Sequence, residues 1–157
     1  MKIIQATAAD LPAISLLVHK TINAIYFNYY PQEVVESFLE YHREENILAD
    51  IESGWVYLLT DSGSIVATGT VKENYMNRIF VLPEWQGKGY GSVVMDFLED
   101  LVLQRYDAVY IDSSLPGFKT YWKRRYEVVD FGEFPTRNGR ILFYPVMRKT
   151  RAAMGTK

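Results

Sequence analysis

The sequence predicts an α/β chain of the α+β kind, and three observations carry that reading. Two helical stripes open the chain, a period-two region with hairpin signals follows, and a glycine-rich loop then feeds a long amphipathic helix before a closing hairpin. The element order is β-α-α-β-β-β-α-β-α-β-β. Its 157 residues suit a single domain with one sizeable core.

Lys2 to Ala6 is short and β-prone. Thr7-Ala8-Ala9-Asp10 has capping-box form, and Pro12 is tolerable only near a helix start. Leu11, Ile14, Leu17, Val18, Ile22 and Ile25 recur at spacings of three and four, a core-facing stripe. The aromatic run Tyr26-Phe27-Asn28-Tyr29-Tyr30 ends that helix at Pro31. A second helix, about Gln32 to His42, turns Val34, Val35, Phe38 and Leu39 inward and Glu33, Glu36 and Glu40 outward. Glu44 to Ile51 reads either as its extension or as a separate turn.

From Gly54 the period becomes that of strands. Trp55–Thr60 and Ile65–Val71 are joined by Asp61-Ser62-Gly63-Ser64; Lys72–Met76 reads as a loop, and Asn77–Leu82 as the next strand. A helix from about Val93 to Arg105 shows Val93, Val94, Phe97, Leu98, Leu101 and Val102 on one face. Ala108–Ile111 is a buried-strand run and Pro116–Arg125 a brief helix. Tyr126–Phe134 and Ile141–Met147 form a hairpin with Asn138-Gly139 at its turn. Arg148–Lys157 is polar, basic and aperiodic, which predicts a frayed tail after a domain spanning residues 1–147.

The net charge of −2 offers no footprint for nucleic acid, and no apolar run could span a bilayer. With no cysteines, disulfides, thiolate nucleophiles and cysteine metal sites are excluded. The start is not that of a signal peptide, so the expected setting is cytoplasmic, without membrane or nucleic-acid partners.

Three glycines before a helix leave backbone N–H groups unobstructed, a ready site for phosphate. A Walker A loop requires Ser or Thr after its lysine, but Lys88 precedes Gly89. Gly87, Gly89 and Gly91 give G-x-G-x-G rather than the dinucleotide fingerprint G-x-G-x-x-G, although Asp112 imitates its ribose-binding acid. The acyl-CoA loop Q/R-x-x-G-x-G/A fits Gln86-Gly87-Lys88-Gly89-Tyr90-Gly91 at every fixed position.

The longer run Val81-Leu82-Pro83-Glu84-Trp85-Gln86-Gly87-Lys88-Gly89-Tyr90-Gly91 resembles that of the GNAT family, the Gcn5-related N-acetyltransferases. The resemblance implies the GNAT fold: a mixed, mostly antiparallel sheet of six to seven strands flanked by about four helices, its strands splayed around acetyl-CoA. It implies acetyl transfer to a primary amine by direct attack in a ternary complex, on a small molecule or a peptide, by a monomer or homodimer. The cofactor would lie along Phe80, Val81 and Leu82, with Gln86, Gly87, Lys88, Gly89, Tyr90, Gly91 and Ser92 at its pyrophosphate.

The family's second signature is met by Ser114-x-x-Gly117-x-x-x-Tyr121-x-x-x-Arg125-Tyr126. Tyr121 falls where relatives carry the general acid for the leaving thiolate, and Ser114 stands in for an asparagine near the pantetheine. Arg125 replaces a glycine at a left-handed helix end. No glutamate opens the strand before the glycine loop, so Glu73 or a water relay is the candidate base. The resemblance also implies that Tyr26, Phe27, Tyr29 and Tyr30 border the acceptor side, where aromatics beside the acids of the second helix would suit an apolar or aromatic cation. His19 and His42 read as isolated, and no metal is expected. The alternatives are a catalytically silent acyl-CoA-binding module and a dinucleotide-binding domain.

Overall fold

A computed structural model describes residues 1–154 of the chain. Seven strands form one sheet: β1 Lys2–Gln5, β2 Val56–Asp61, β3 Ser64–Lys72, β4 Tyr75–Val81, β5 Ala108–Asp112, β6 Glu127–Pro135 and β7 Ile141–Thr150. Their order across the sheet is β1-β2-β3-β4-β5-β7-β6, antiparallel throughout except for the parallel neighbours β4 and β5. The helices are α1 Leu11–Ile25, α2 Gln32–Tyr41, α3 Glu44–Glu52, α4 Tyr90–Leu103, α5 Leu115–Lys123 and the short α6 Arg151–Met154. This is the mixed, mostly antiparallel sheet with flanking helices that the residue patterns and the resemblance predict.

Each face of the sheet has its own core. Leu17, Val18 and Ile22 of α1, Val35 of α2 and Ile47 of α3 pack with Val56, Leu58 and Phe80. On the opposite face Val94, Leu98 and Val102 of α4 pack with Ala67, Met76, Val109, Ile111 and Met147. The stripes read from sequence are therefore the buried stripes, and burial of such side chains is the main stabilising term at about 1.5–3 kcal/mol each.

Three local expectations change. Arg43 is extended at the N-cap of α3, so Glu44–Glu52 is a separate helix rather than an extension of α2. Lys72–Met76 is no open loop. Lys72 pairs with Tyr75, which leaves Glu73 and Asn74 as the whole turn, with Glu73 at φ +53°. The frayed tail does not begin at Arg148, because β7 runs to Thr150 along β5 and α6 follows. Residues 155–157 of the expected tail lie outside the described residues.

The polar end of β7 is a strand because a buried acid needs it. Glu99 of α4 is fully buried and takes hydrogen bonds from Arg124 Nη2 (3.0 Å), the Tyr126 hydroxyl (2.9 Å) and Lys149 Nζ (3.4 Å). A buried charge is tolerated only when its partners are supplied this fully. The cluster ties α4 to the end of α5 and so fixes the helix that carries Tyr121.

Arg125, the residue after the α5 cap, sits at φ +70°, the left-handed conformation expected of the glycine it replaces. Arg125→Gly should raise stability by about 1 kcal/mol, read as a higher urea midpoint at unchanged slope. A lower midpoint would mean that the arginine side chain contributes more than the strained backbone costs.

Candidate active site

The parallel pairing of β4 with β5 lasts for two register positions, Tyr75 with Tyr110 and Met76 with Ile111. Beyond them the strands part, and a cleft of about 780 Å³ opens between the glycine loop on one side and α1, α2 and the β6–β7 hairpin on the other. β4 is also irregular here. Its register against β3 shifts between Thr68 and Thr70, Arg78 adopts φ +48°, and the Asn77 side chain accepts the Arg78 N–H at 2.7 Å. That combination is a β-bulge, a device that re-aims side chains at the edge of a site.

Past the bulge β4 presents an open edge. The Leu82 N–H donates to Val66 O of β3 at 3.0 Å, so alternation turns the N–H and C=O of Val81 the other way, into the slot. The Val81 carbonyl accepts Gln86 Nε2 at 2.9 Å there. Its N–H faces the gap left where β5 ends at Asp112.

The glycine loop follows. Gly87 and Gly89 sit at φ +74° and +89°, and Gly89 is the N-cap of α4. Among the described residues, no amide from Gly87 to Ser92 has a main-chain partner; the first is Val93, which donates to Gly89 O at 3.2 Å. The row of free donors lies at the positive end of α4. Gln86, Gly87, Tyr90 and Gly91 line the cleft, whereas Leu82, Lys88, Gly89 and Ser92 flank it. Lys88 Nζ rests 4.9 Å above the Trp85 ring, and the Tyr90 hydroxyl donates to the Asp61 carboxylate.

Opposite the open edge of β4 stands the start of α5. Ser114 is its N-cap, and the serine hydroxyl accepts the Gly117 N–H at 3.2 Å. The Ser114 side chain also lies beside the Tyr26 phenol, which burial pushes up to about 12. Tyr121, one turn beyond Gly117, lines the cleft, and burial with the Tyr26 phenol nearby pushes its hydroxyl well above the ordinary tyrosine value. Gly117 leaves room for this ring, since a Cβ there would lie 2.8 Å from Tyr121 Cε2.

Of the aromatic run, Tyr26 and Tyr29 line the cleft. Tyr30 is buried beneath α5, accepting the Leu115 N–H at 2.7 Å, and Phe27 points outward. The acids of α2 do not reach the cleft. Glu33 and Glu40 pair with Arg140 and Arg137 of the β6–β7 connection at 3.3 and 2.9 Å, and Glu36 accepts from Gln32. Glu33 and Glu40 clasp the hairpin to α2 instead of facing an acceptor. Glu73 is exposed on the β3–β4 turn and is absent from the lining.

The histidines are not isolated. Arg78, only 4% exposed, donates from Nε to His42 Nδ1 at 3.0 Å and from Nη1 to Asp50 at 2.7 Å. His19 Nε2 lies 2.8 Å from the His42 carbonyl oxygen. Burial first, and the Arg78 charge second, hold the His42 imidazole well below its ordinary value, so it stays neutral and accepts at Nδ1. The sequence reading missed this group, and its one signal was an arginine, after Asn77, inside a strand whose other residues are apolar or aromatic. A depressed histidine stabilises the fold above the unfolded value near pH 6.5 and loses that contribution as pH falls, by up to about 1.4 kcal/mol per unit. Unfolding followed between pH 7.5 and 5 should show this slope, and His42→Gln should flatten it. An equal slope in both proteins would place the titration elsewhere.

Residues 18–121 match the sequence profile of the acetyltransferase (GNAT) family. No curated protein matches the chain at a significant level. Among solved structures, a GCN5-related N-acetyltransferase of Rhodopseudomonas palustris, described as "Aminotransferase, Class-II", superposes with a TM-score of 0.87 at 20% identity, covering 95% of this chain and 94% of its own. The PaiA N-acetyltransferase of Thermoplasma acidophilum, solved with coenzyme A, gives 0.73 at 17% identity and coverages of 95% and 98%. The yncA protein of Salmonella typhimurium, solved with its cofactor acetyl-CoA, gives 0.67 at 17% identity, with coverages of 96% and 93%. At these identities the likeness speaks for the fold, while the profile match spans most of the chain, both splayed strands and the glycine loop. The chain belongs to the acetyltransferase (GNAT) family.

Proposed function

We propose that this protein transfers an acetyl group from acetyl-CoA to a primary amine, directly, within a ternary complex. One observation carries the reading: the cleft is bordered by the amides of residues 87–92, which have no main-chain partner, and by the slot-facing edge of β4 at Val81, with Tyr121 across the slot. In this reading the loop amides hold the pyrophosphate of the cofactor. The open edge at Val81 pairs with the pantetheine amides as an added strand would, and an N–H of that edge meets the thioester oxygen. The amine attacks the carbonyl carbon, the C–S bond breaks with its electron pair on sulfur, and the Tyr121 O–H stands ready for the thiolate. A phenol held well above its ordinary value is kept protonated, so it acts first as a hydrogen-bond donor to the developing charge.

The test is a panel of cationic, neutral and anionic primary amines offered with acetyl-CoA, with free thiol and acetylated product both measured. The chain has no cysteine, so it contributes no thiol background. Amine-dependent thiol release matched by acetylamide is expected. Binding of acetyl-CoA with no turnover on any amine would leave a silent acyl-CoA-binding module, and tight binding of NAD instead would leave a dinucleotide domain.

A further inference from the structure

Two carboxylates line the cleft, and they differ in one respect. Asp50 is engaged by Arg78 at 2.7 Å. Asp112 has no hydrogen bond or ion pair among the described residues.

The position of Asp112 follows from register. Met76 with Ile111 is the last β4–β5 pair, so Asp112 is the first β5 residue after the strands part, across the slot from the Asn77–Arg78 bulge. Val109 and Ile111 are buried against α4, so strand alternation sends Tyr110 and Asp112 to the opposite face, the one reached from α1 and α2. The groups around Asp112 there come from three strands. Tyr75 of β4 stacks on Tyr110 with ring centroids 5.3 Å apart, and both Tyr75 and Tyr144 of β7 feel the Asp112 charge. Asp130 of β6 pairs in register with Val146, as Asp112 does from the other side, and Arg148 of β7 pairs with Tyr110. Glu127 of β6 pairs with Arg148 as well, so three carboxylates and one guanidinium share this surface, amid tyrosine rings whose faces attract cations.

We propose that Asp112 receives the acceptor: its carboxylate holds the ammonium of a small cationic primary amine among Tyr75, Tyr110 and Tyr144 and takes the proton that frees the nitrogen. This rests on the transferase reading and assigns the base that the sequence left open. The step balances. R–NH3⁺ gives one proton to Asp112, the nitrogen pair forms the bond to the acetyl carbon, and the C–S pair leaves on sulfur, which is protonated by Tyr121. The second proton of the attacking nitrogen returns through water to the tyrosinate, and Asp112 releases the first to solvent, so each turnover yields acetylamide, CoA–SH and one proton. Asp112 is exposed at the cleft, and partial desolvation by its surroundings raises its carboxyl from the ordinary carboxylate value.

Asp112→Asn keeps shape and removes charge and basicity, at a site where the carboxylate holds no partner in the fold. Its kcat/KM for cationic amines near pH 7 should fall by about 10²-fold or more, while the calorimetric Kd for acetyl-CoA is unchanged and reports an intact fold. The acid limb of the wild-type pH profile should vanish in the variant, which should regain activity at a pH that deprotonates the free amine. Asp112→Glu, which restores the charge one methylene further out, should keep the preference for cationic amines at reduced kcat. Wild-type kcat/KM and an unchanged acid limb in Asp112→Asn would overturn the proposal and leave the transferase reading standing. A wild-type protein that binds acetyl-CoA but turns over no amine would instead overturn that reading itself.

Discussion

Gly89→Glu is expected to abolish acetyl-CoA binding. Nothing lies within 4 Å of the position its Cβ would take, so the side chain has room, and it would project from the cap of α4 among the free amides. Its carboxylate would occupy those donors and face the pyrophosphate. Two unit charges about 4 Å apart repel by roughly 4 kcal/mol at an effective dielectric near 20, which alone is about 10³-fold in affinity. Gly89 sits at φ +89°, where any side chain also costs about 1–2 kcal/mol of backbone strain. Gly89→Ala carries that strain without the charge and separates the two effects. Calorimetry should show a modest stability loss in both variants and loss of acetyl-CoA binding in the glutamate variant alone. Undiminished affinity in folded Gly89→Glu would remove the loop from the cofactor site.

Tyr121→Phe should lower turnover by about 10²-fold with little change in acetyl-CoA affinity, since the hydroxyl acts on sulfur as it departs. The phenyl ring keeps its place because Gly117 leaves room for it, so the change is confined to one oxygen. The phenol is raised by burial, and the wild-type protein should therefore show no alkaline fall attributable to it below about pH 10. Rapid-mixing turnover under saturating cofactor makes the comparison. Equal rates in the two proteins would assign Tyr121 to packing.

The fold was legible where local chemistry decides it. Helical stripes, the Asn138-Gly139 turn and the glycine loop each specify their element within a few residues, and the structure keeps all of them. The ends of β7 and the turn at Glu73 were not legible, because their cause lies elsewhere: Lys149 is a strand residue on account of Glu99, fifty positions away in the chain. The site divides in the same way. Gln86 to Gly91 fit the acyl-CoA loop by spacing, and Tyr121 stands out only through the family resemblance. The Arg78–His42–Asp50 group joins residues 36 and 28 positions apart through a bulge, and no spacing rule connects them. The α2 acids read correctly as an outward face, yet periodicity cannot say that a hairpin carrying Arg137 and Arg140 covers it. Asp112 imitated a ribose-binding acid because it ends an apolar run; only the parting of β4 and β5 shows which space it enters.

The most direct test of acetyl transfer in this slot is a single turnover with acetyl-labelled CoA, protein in excess, quenched on the millisecond scale in the presence of a cationic amine. Label should pass from CoA to the amine with none covalently attached to the protein at any time, as direct attack requires. Label held on the protein, or label that stays on CoA while the amine is unchanged, would contradict the account.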